Sequence, residues 1–124
     1  MGGSSGLGLA AAKKLARHGM NIIIIHRNAR AQMLAIEQSF EEIKDLGVDL
    51  ISFNQDAFNA MKQETVIHEI KTHLGGSGTV KALIHSVAKG NLKPMVSDER
   101  QSLKSDDFEL TIKAMGISLY DWTK

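Results

Sequence analysis

The sequence predicts an α/β fold of three layers, with helices on both faces of a parallel sheet, and three observations predict it. Short apolar runs alternate with longer segments whose apolar residues recur at helical spacing. Positions 22–25 are four consecutive isoleucines, more apolar side chain than a strand with one wet face carries. Ahead of the first helical segment stands a glycine-rich stretch in which Gly2, Gly6 and Gly8 are spaced G-x-x-x-G-x-G.

Residues 7–18 form the first expected helix, with Leu7, Ala11 and Leu15 at helical spacing and Gly19 as the stop. Residues 20–25 follow as a buried strand. Asn28 is placed to cap a long second helix over 29–46, with Met33, Ile36, Phe40, Ile43 and Leu46 in one stripe and Gly47 ending it. A strand over 48–53 comes next, then a helix over 59–74 with Val66, Ile67, Ile70 and Leu74 inward and a Gly/Ser stretch closing it. Residues 80–85 read as a third strand, 89–100 as a polar connection with the only proline, and 105–122 as a fourth helix.

That order leaves the sheet incomplete. A glycine-rich turn that receives a dinucleotide is presented by the carboxyl end of a strand, and here only Met1 precedes Gly2. The expected first strand, central between 20–25 and 80–85, and the C-terminal strands are absent, so residues 1–124 read as an N-terminal fragment of one domain. Unpaired backbone groups are expected to line the gap.

Composition narrows the function classes. Hydrophobic residues at 43% and charged residues at 23% suit an ordinary globular domain rather than a disordered chain. Fifteen Lys and Arg against fourteen Asp and Glu leave a formal charge of +1, so no bulk attraction to nucleic acid or to an anionic membrane is expected. Any anion site must be local. The absence of cysteine excludes disulfides and thiolate metal sites and suits a reducing cytoplasm. No apolar run spans a bilayer, and the start lacks the pattern of a signal peptide.

The glycine spacing carries specific chemistry. It allows a tight turn, a surface without side chains against a pyrophosphate, and close packing of helix on sheet. The helix beginning near Leu7 offers N–H groups and the positive end of its dipole to phosphate, and Ser4 and Ser5 add hydroxyl donors. A flexible Gly/Ser start or an expression scar is the bland alternative, and the helix and isoleucine strand that follow argue against it. No Gly-Lys-Ser/Thr ends the turn, so a Walker loop is not indicated.

The stretch GGSSGLG, followed by a helix, a strand and then His26 and Arg27, resembles the cofactor loop of the short-chain dehydrogenase/reductase family. The resemblance runs over essentially the whole chain and implies a Rossmann-type nucleotide-binding domain of a soluble, homo-oligomeric NAD(P)-dependent oxidoreductase. Met1 stands where the family usually has Thr. The segment Ile84, His85, Ser86, Val87, Ala88 departs from the family's usual Asn-Asn-Ala-Gly. It is similar to the divergent branch that contains enoyl-acyl-carrier-protein reductases, as are Asp107 to Leu110 and Ser118 with Leu119.

The resemblance also implies a cofactor choice. After the second family strand an acidic residue normally meets the ribose 2′-hydroxyl of NAD, whereas a basic residue favours the 2′-phosphate of NADP. Here Arg27 and Asn28 follow His26 with no acid, and the fork of Arg27 suits phosphate oxygens, so NADP(H) is expected over NAD(H). The alternative reading of Arg27 is a solvated loop arginine. Asp56, beside Ala57, is either the family's acceptor for the adenine amino group or a helix cap. The full expected cofactor set is Gly2, Ser4, Ser5, Gly6, Leu7, Gly8, Arg27, Asn28, Asp56, Ala57, Ser86, Val87 and Ala88.

No catalytic or metal-binding residue is assigned. Tyr120 and Lys124 spell the family's Y-x-x-x-K, in which Lys lowers the Tyr pKa for proton transfer. Their position is wrong, because only one helix separates them from residues 80–85 and Ser118 is two residues away. Tyr120 and Trp122 are expected to pack instead, on a helix that the family uses for subunit contacts. His68 and His73 are five apart, not the four of a two-histidine metal face. His85 reads as either a satisfied core histidine or a strand-end hydrogen bonder. The expectation is thus the NADP(H)-binding part of an oxidoreductase whose parent transfers hydride to a carbonyl or enoyl substrate; the competing readings are a non-catalytic nucleotide-binding or interaction module and a remnant without function.

Overall fold

The computed structural model describes residues 1–98 and 102–124, which form two compact units, Met1–Ser86 and Val87–Lys124. The end of the polar connection expected over 89–100 lies outside the described residues.

The first unit runs α1 (Gly6–Ala16), β1 (Ile22–His26), a 3-10 turn (Arg30–Gln32), α2 (Met33–Lys44), β2 (Leu50–Asn54) and α3 (Ala60–Leu74). Strands β1 and β2 are parallel, with Ile22 opposite Leu50 and His26 opposite Asn54. Parallel neighbours need a crossover, and α2 supplies it. The expected α/β class with a parallel sheet is therefore present, as two strands.

One core holds this unit together. Ala12 and Ala16 of α1, Ile22 and Ile24 of β1, Ile36, Phe40 and Ile43 of α2, and Leu50 of β2 form a single buried cluster. Alanines on α1 let that helix approach the sheet closely, while α2 presents the large side chains at i, i+4 and i+7. Each large side chain buried there contributes roughly 1.5–3 kcal/mol. Leu46, expected in the same stripe, is exposed at 44% because α2 ends at Lys44, before the stripe completes its next turn.

Three expectations need correction. Asn28 does not cap α2, whose N-cap is Gln32, because the Asn28 side chain is engaged by Ser4, His26 and Gln32. Asn59 does cap α3, accepting from Lys62 N–H, yet Val66 is the one fully buried member of its expected inward stripe. A two-stranded sheet is too narrow to cover a helix of 15 residues. Residues 80–85 form no strand. A strand needs a partner along its length, and among the described residues the only backbone neighbour bonded to 80–84 is Met1, whose amino group donates to the Ile84 carbonyl at 2.7 Å.

The second unit contains α4 (Ser105–Ile112), a wide π-type turn (Lys113–Ile117) and α5 (Ser118–Asp121), one continuous run over the expected fourth helix. Its start is fixed by Asp107, a buried carboxylate that accepts from the Lys104 N–H at 2.8 Å, from Lys93 Nζ at 3.0 and 3.1 Å, and from Asn91 Nδ2. The backbone bond first, then the Asn91 and Lys93 donors, pull its pKa down to about 2. Ser118 Oγ donates back to the Ala114 carbonyl at 2.7 Å.

Candidate functional site: a glycine loop beside two strand ends

Residues 1–5 cross from the carboxyl end of β1 into α1. Gly2 N–H donates to the Ile25 carbonyl at 2.8 Å, and Ser86 N–H donates to the Met1 carbonyl at 3.0 Å, so the Met1–Gly2 peptide is bonded on both sides and Met1 is buried. Burial pushes its amino group below the ordinary value of 8.0. Gly2 and Gly6 have φ of 72° and 54°, the left-handed region that side chains disfavour. Gly8 is required for a different reason. A Cβ there would lie 2.1 Å from the Gly2 carbonyl oxygen and 3.2 Å from Gly3 Cα, so the first turn of α1 packs on the loop backbone itself.

Gly3 has a role that sequence reasoning did not assign. Its Cβ would meet Ile24 Cγ2 at 3.1 Å, which lays the loop on β1. The doublet Gly2 and Gly3 was the available signal.

The start of α1 is left open to an anion. Its first intrahelical bond is Leu9 N–H to the Ser5 carbonyl at 3.1 Å, so the N–H groups of Gly6, Leu7 and Gly8 precede the ladder. Ser5 is the N-cap without a side-chain capping bond, and Ser5, Gly6 and Leu7 are exposed. Leu7, at 85% exposure, leaves the helix start free of covering side chain.

The carboxyl ends of β1 and β2 are tied to this loop through Asn28. Ser4 Oγ donates to Asn28 Oδ1 at 2.7 Å, His26 Nδ1 approaches the same oxygen at 2.9 Å, and Asn28 Nδ2 donates to Gln32 Oε1 at 3.2 Å. Asn28 N–H donates to Asn54 Oδ1 at 3.0 Å, and Asn54 Nδ2 returns to the Asn28 carbonyl at 3.1 Å. Because an amide oxygen only accepts, His26 donates from Nδ1 to Asn28 Oδ1. Its Nε2 is buried without a partner among the described residues, with the ring edge-on to Phe40 at 5.5 Å. His26 and Asn54 are supports that sequence reasoning missed, since only the folded register brings strand ends 28 residues apart together.

Arg27 projects from this framework. Its side chain is 67% exposed and its Nη1 lies 2.9 Å from Asp56 Oδ2. Asp56 Oδ1 accepts the Phe58 N–H at 3.0 Å, closing the turn that holds half-buried Ala57. Of the readings left open for Asp56, the helix cap is excluded, since Asn59 fills that place.

The structure thus brings Gly2, Ser4, Asn28, Arg27, Asp56 and Ser86 into one connected set within the first unit. Val87 and Ala88 belong to the second unit. Tyr120 is 65% exposed rather than packed, with Lys124 Nζ 5.5 Å from its ring centroid and bonded to Asp121 at 3.0 Å, which raises the Lys124 pKa. His73 pairs with Asp49 at 2.8 Å, and among the described residues no cluster could hold a metal ion. No helix among them is long and apolar enough to cross a membrane.

A parallel β-α-β unit with a glycine loop at the carboxyl end of its strands defines a Rossmann-type α/β protein. The family model for short chain dehydrogenases matches residues 1–123, and the chain belongs to that family. It is 29% identical over 98 residues to the short chain dehydrogenase mdpC of Emericella nidulans, a match that covers 79% of this chain and 36% of that protein. Among solved structures it is similar to a Serratia marcescens short-chain dehydrogenase/reductase variant, with a TM-score of 0.74 at 18% identity, covering 98% of this chain and 45% of that one. It is also similar to a putative dehydrogenase from Burkholderia cenocepacia with bound NADP, with a TM-score of 0.74 at 22% identity, covering 98% and 43%. A 3-oxoacyl-[acyl-carrier protein] reductase from Brucella melitensis gives 0.69 at 21%, covering 91% and 41%. The chain spans less than half the length of each of these relatives. The family is one of NAD(P)-binding oxidoreductases.

Proposed function

We propose that residues 1–86 hold the adenine, ribose and phosphate portion of NADP(H), as the cofactor-binding part of an oxidoreductase. The observation that carries this reading is the backbone cradle at Gly8, where a Cβ would collide with Gly2, next to the unladdered N–H groups of Gly6, Leu7 and Gly8. Such a surface fits a pyrophosphate, because backbone can approach it without side chains and the helix start favours negative charge. Arg27 supports the phosphorylated cofactor, since it stands free of the core at the end of β1 where an acid would select NAD. The Burkholderia relative with bound NADP is consistent with it.

When bound, the nicotinamide supplies the hydride. This chain's own part is to bind and orient. Ser4 and Asn28 fix the loop against the strand ends, and Arg27 provides the charge for the 2′-phosphate. Transfer to a carbonyl or enoyl carbon is the reaction we assign to the longer protein in which such a domain works, in the cytoplasm and as a homo-oligomer.

Titration of the purified chain with NADPH and NADH tests the reading. NADPH is expected to bind about tenfold or more tightly than NADH, and Arg27→Gln to abolish the difference, since hydrogen bonds to a charged group contribute roughly 1.5–3 kcal/mol. Equal affinities in the wild type would overturn the NADP(H) assignment, and no binding of either at millimolar concentration would overturn the site.

A further inference from the structure

We infer that His26 is a positioning residue for the nucleotide: only its neutral ring holds Asn28, and through Asn28 the Ser4 hydroxyl and the glycine loop, in the arrangement that receives a ligand. This rests on the reading of residues 1–86 as an NADP(H) site.

The ring is committed on one side and sealed on the other. Its Nδ1 donates to Asn28 Oδ1 at 2.9 Å, the same oxygen that accepts Ser4 Oγ at 2.7 Å. Asn28 Nδ2 is engaged with Gln32 Oε1, so turning the amide over would set donors against both His26 and Ser4. The opposite edge has no such partner. His26 is 3% exposed, its Nε2 is buried without a bond among the described residues, and Phe40 stands edge-on to the ring. A proton taken up at Nε2 would put an N–H and a positive charge where no acceptor stands. The charged ring must leave that place, and its bond to Asn28 goes with it.

Among the described residues no charged side chain is bonded to the ring. On α1 and α2, Lys13 pairs with Glu42 and Lys44 with Glu41, while Lys14 and Glu37 are exposed. Past the strand ends Arg27 pairs with Asp56, and the Met1 amino group donates to the Ile84 carbonyl. Asn54, opposite His26 in the register, is neutral. Acid therefore opposes binding: a ligand that needs the neutral ring loses affinity as pH falls through the range in which histidine takes its proton, about 6.5 and below.

The test is calorimetric titration of NADP+ into the intact chain, His26→Asn and His26→Leu, at about pH 7.5 and about pH 5.5. Asn keeps a donor where Nδ1 stands, Leu removes it, and neither takes a proton. Between the two conditions wild-type affinity is expected to fall about two- to fivefold further than that of either variant. At the higher pH His26→Asn is expected to bind about two- to tenfold more tightly than His26→Leu. The 2′-phosphate and the other histidines titrate in all three proteins, so the difference between proteins is the readout. Should circular dichroism show a variant unfolded, the wild type decides: without ligand, the Ser4 and Asn28 amide shifts are expected to follow the His26 ring signal in one pH titration. Equal pH dependence in all three proteins, no advantage of Asn over Leu, or amides that ignore the ring would overturn the positioning role. A wild-type chain that binds no NADP+ at millimolar concentration at the higher pH fails the NADP(H) reading itself, and this inference with it.

Discussion

A methyl group at position 8 has no room, since its carbon would sit 2.1 Å from the Gly2 carbonyl oxygen, and both colliding groups are backbone that cannot rotate away. Gly8→Ala is therefore expected to destabilise the first unit by about 1–3 kcal/mol in denaturant titration, the range for overpacking, and to lose nucleotide binding even where the chain remains folded. Unchanged binding would show that the loop shape is not what the ligand reads. At this scale the sequence was informative about glycines, because φ and close approach restrict the residue type directly. It was uninformative about Asn28. A helix cap and a side-chain crosslink call for the same short amide, and only the partners Ser4, His26 and Gln32, brought together by folding, choose between them.

Along the elements, α2 supplies the large side chains of the core, and Phe40 both fills it and meets the edge of His26. Phe40→Ala should cost about 3–5 kcal/mol and loosen the His26 to Asn28 connection, so nucleotide affinity should fall together with the midpoint of chemical unfolding. In the second unit the controlling group is Asp107. Its folded pKa of about 2 lies below the ordinary 3.8, so the stability it contributes is complete above that ordinary value and is lost as pH falls toward 2. The α4 and α5 helicity is expected to decline over that window by circular dichroism, and Asp107→Asn to flatten the acid limb of the curve. Helix positions were legible because amphipathic stripes and stop glycines are local. The third strand was not: residues 80–85 have the apolar composition of a strand, and whether they become one depends on a neighbour along their edge, which no property of the segment reveals.

For the whole molecule, the family model matches residues 1–123, and the chain spans 36% to 45% of the length of the relatives set beside it. Family membership could be read from GGSSGLG with the helix, the isoleucine strand and His26-Arg27 that follow it, because a helix start packed on loop backbone leaves a glycine trace in the sequence. The ion pair that joins Arg27 to Asp56, 29 residues apart, left no such trace. Amide chemical shifts on a uniformly labelled chain report whether the glycine loop and the end of β1 bind the dinucleotide. Addition of NADPH is predicted to move the amides of Gly2, Gly6, Leu7, Gly8 and Arg27 most, saturably and along one line. Shifts confined to other residues, or none at millimolar NADPH, would contradict it.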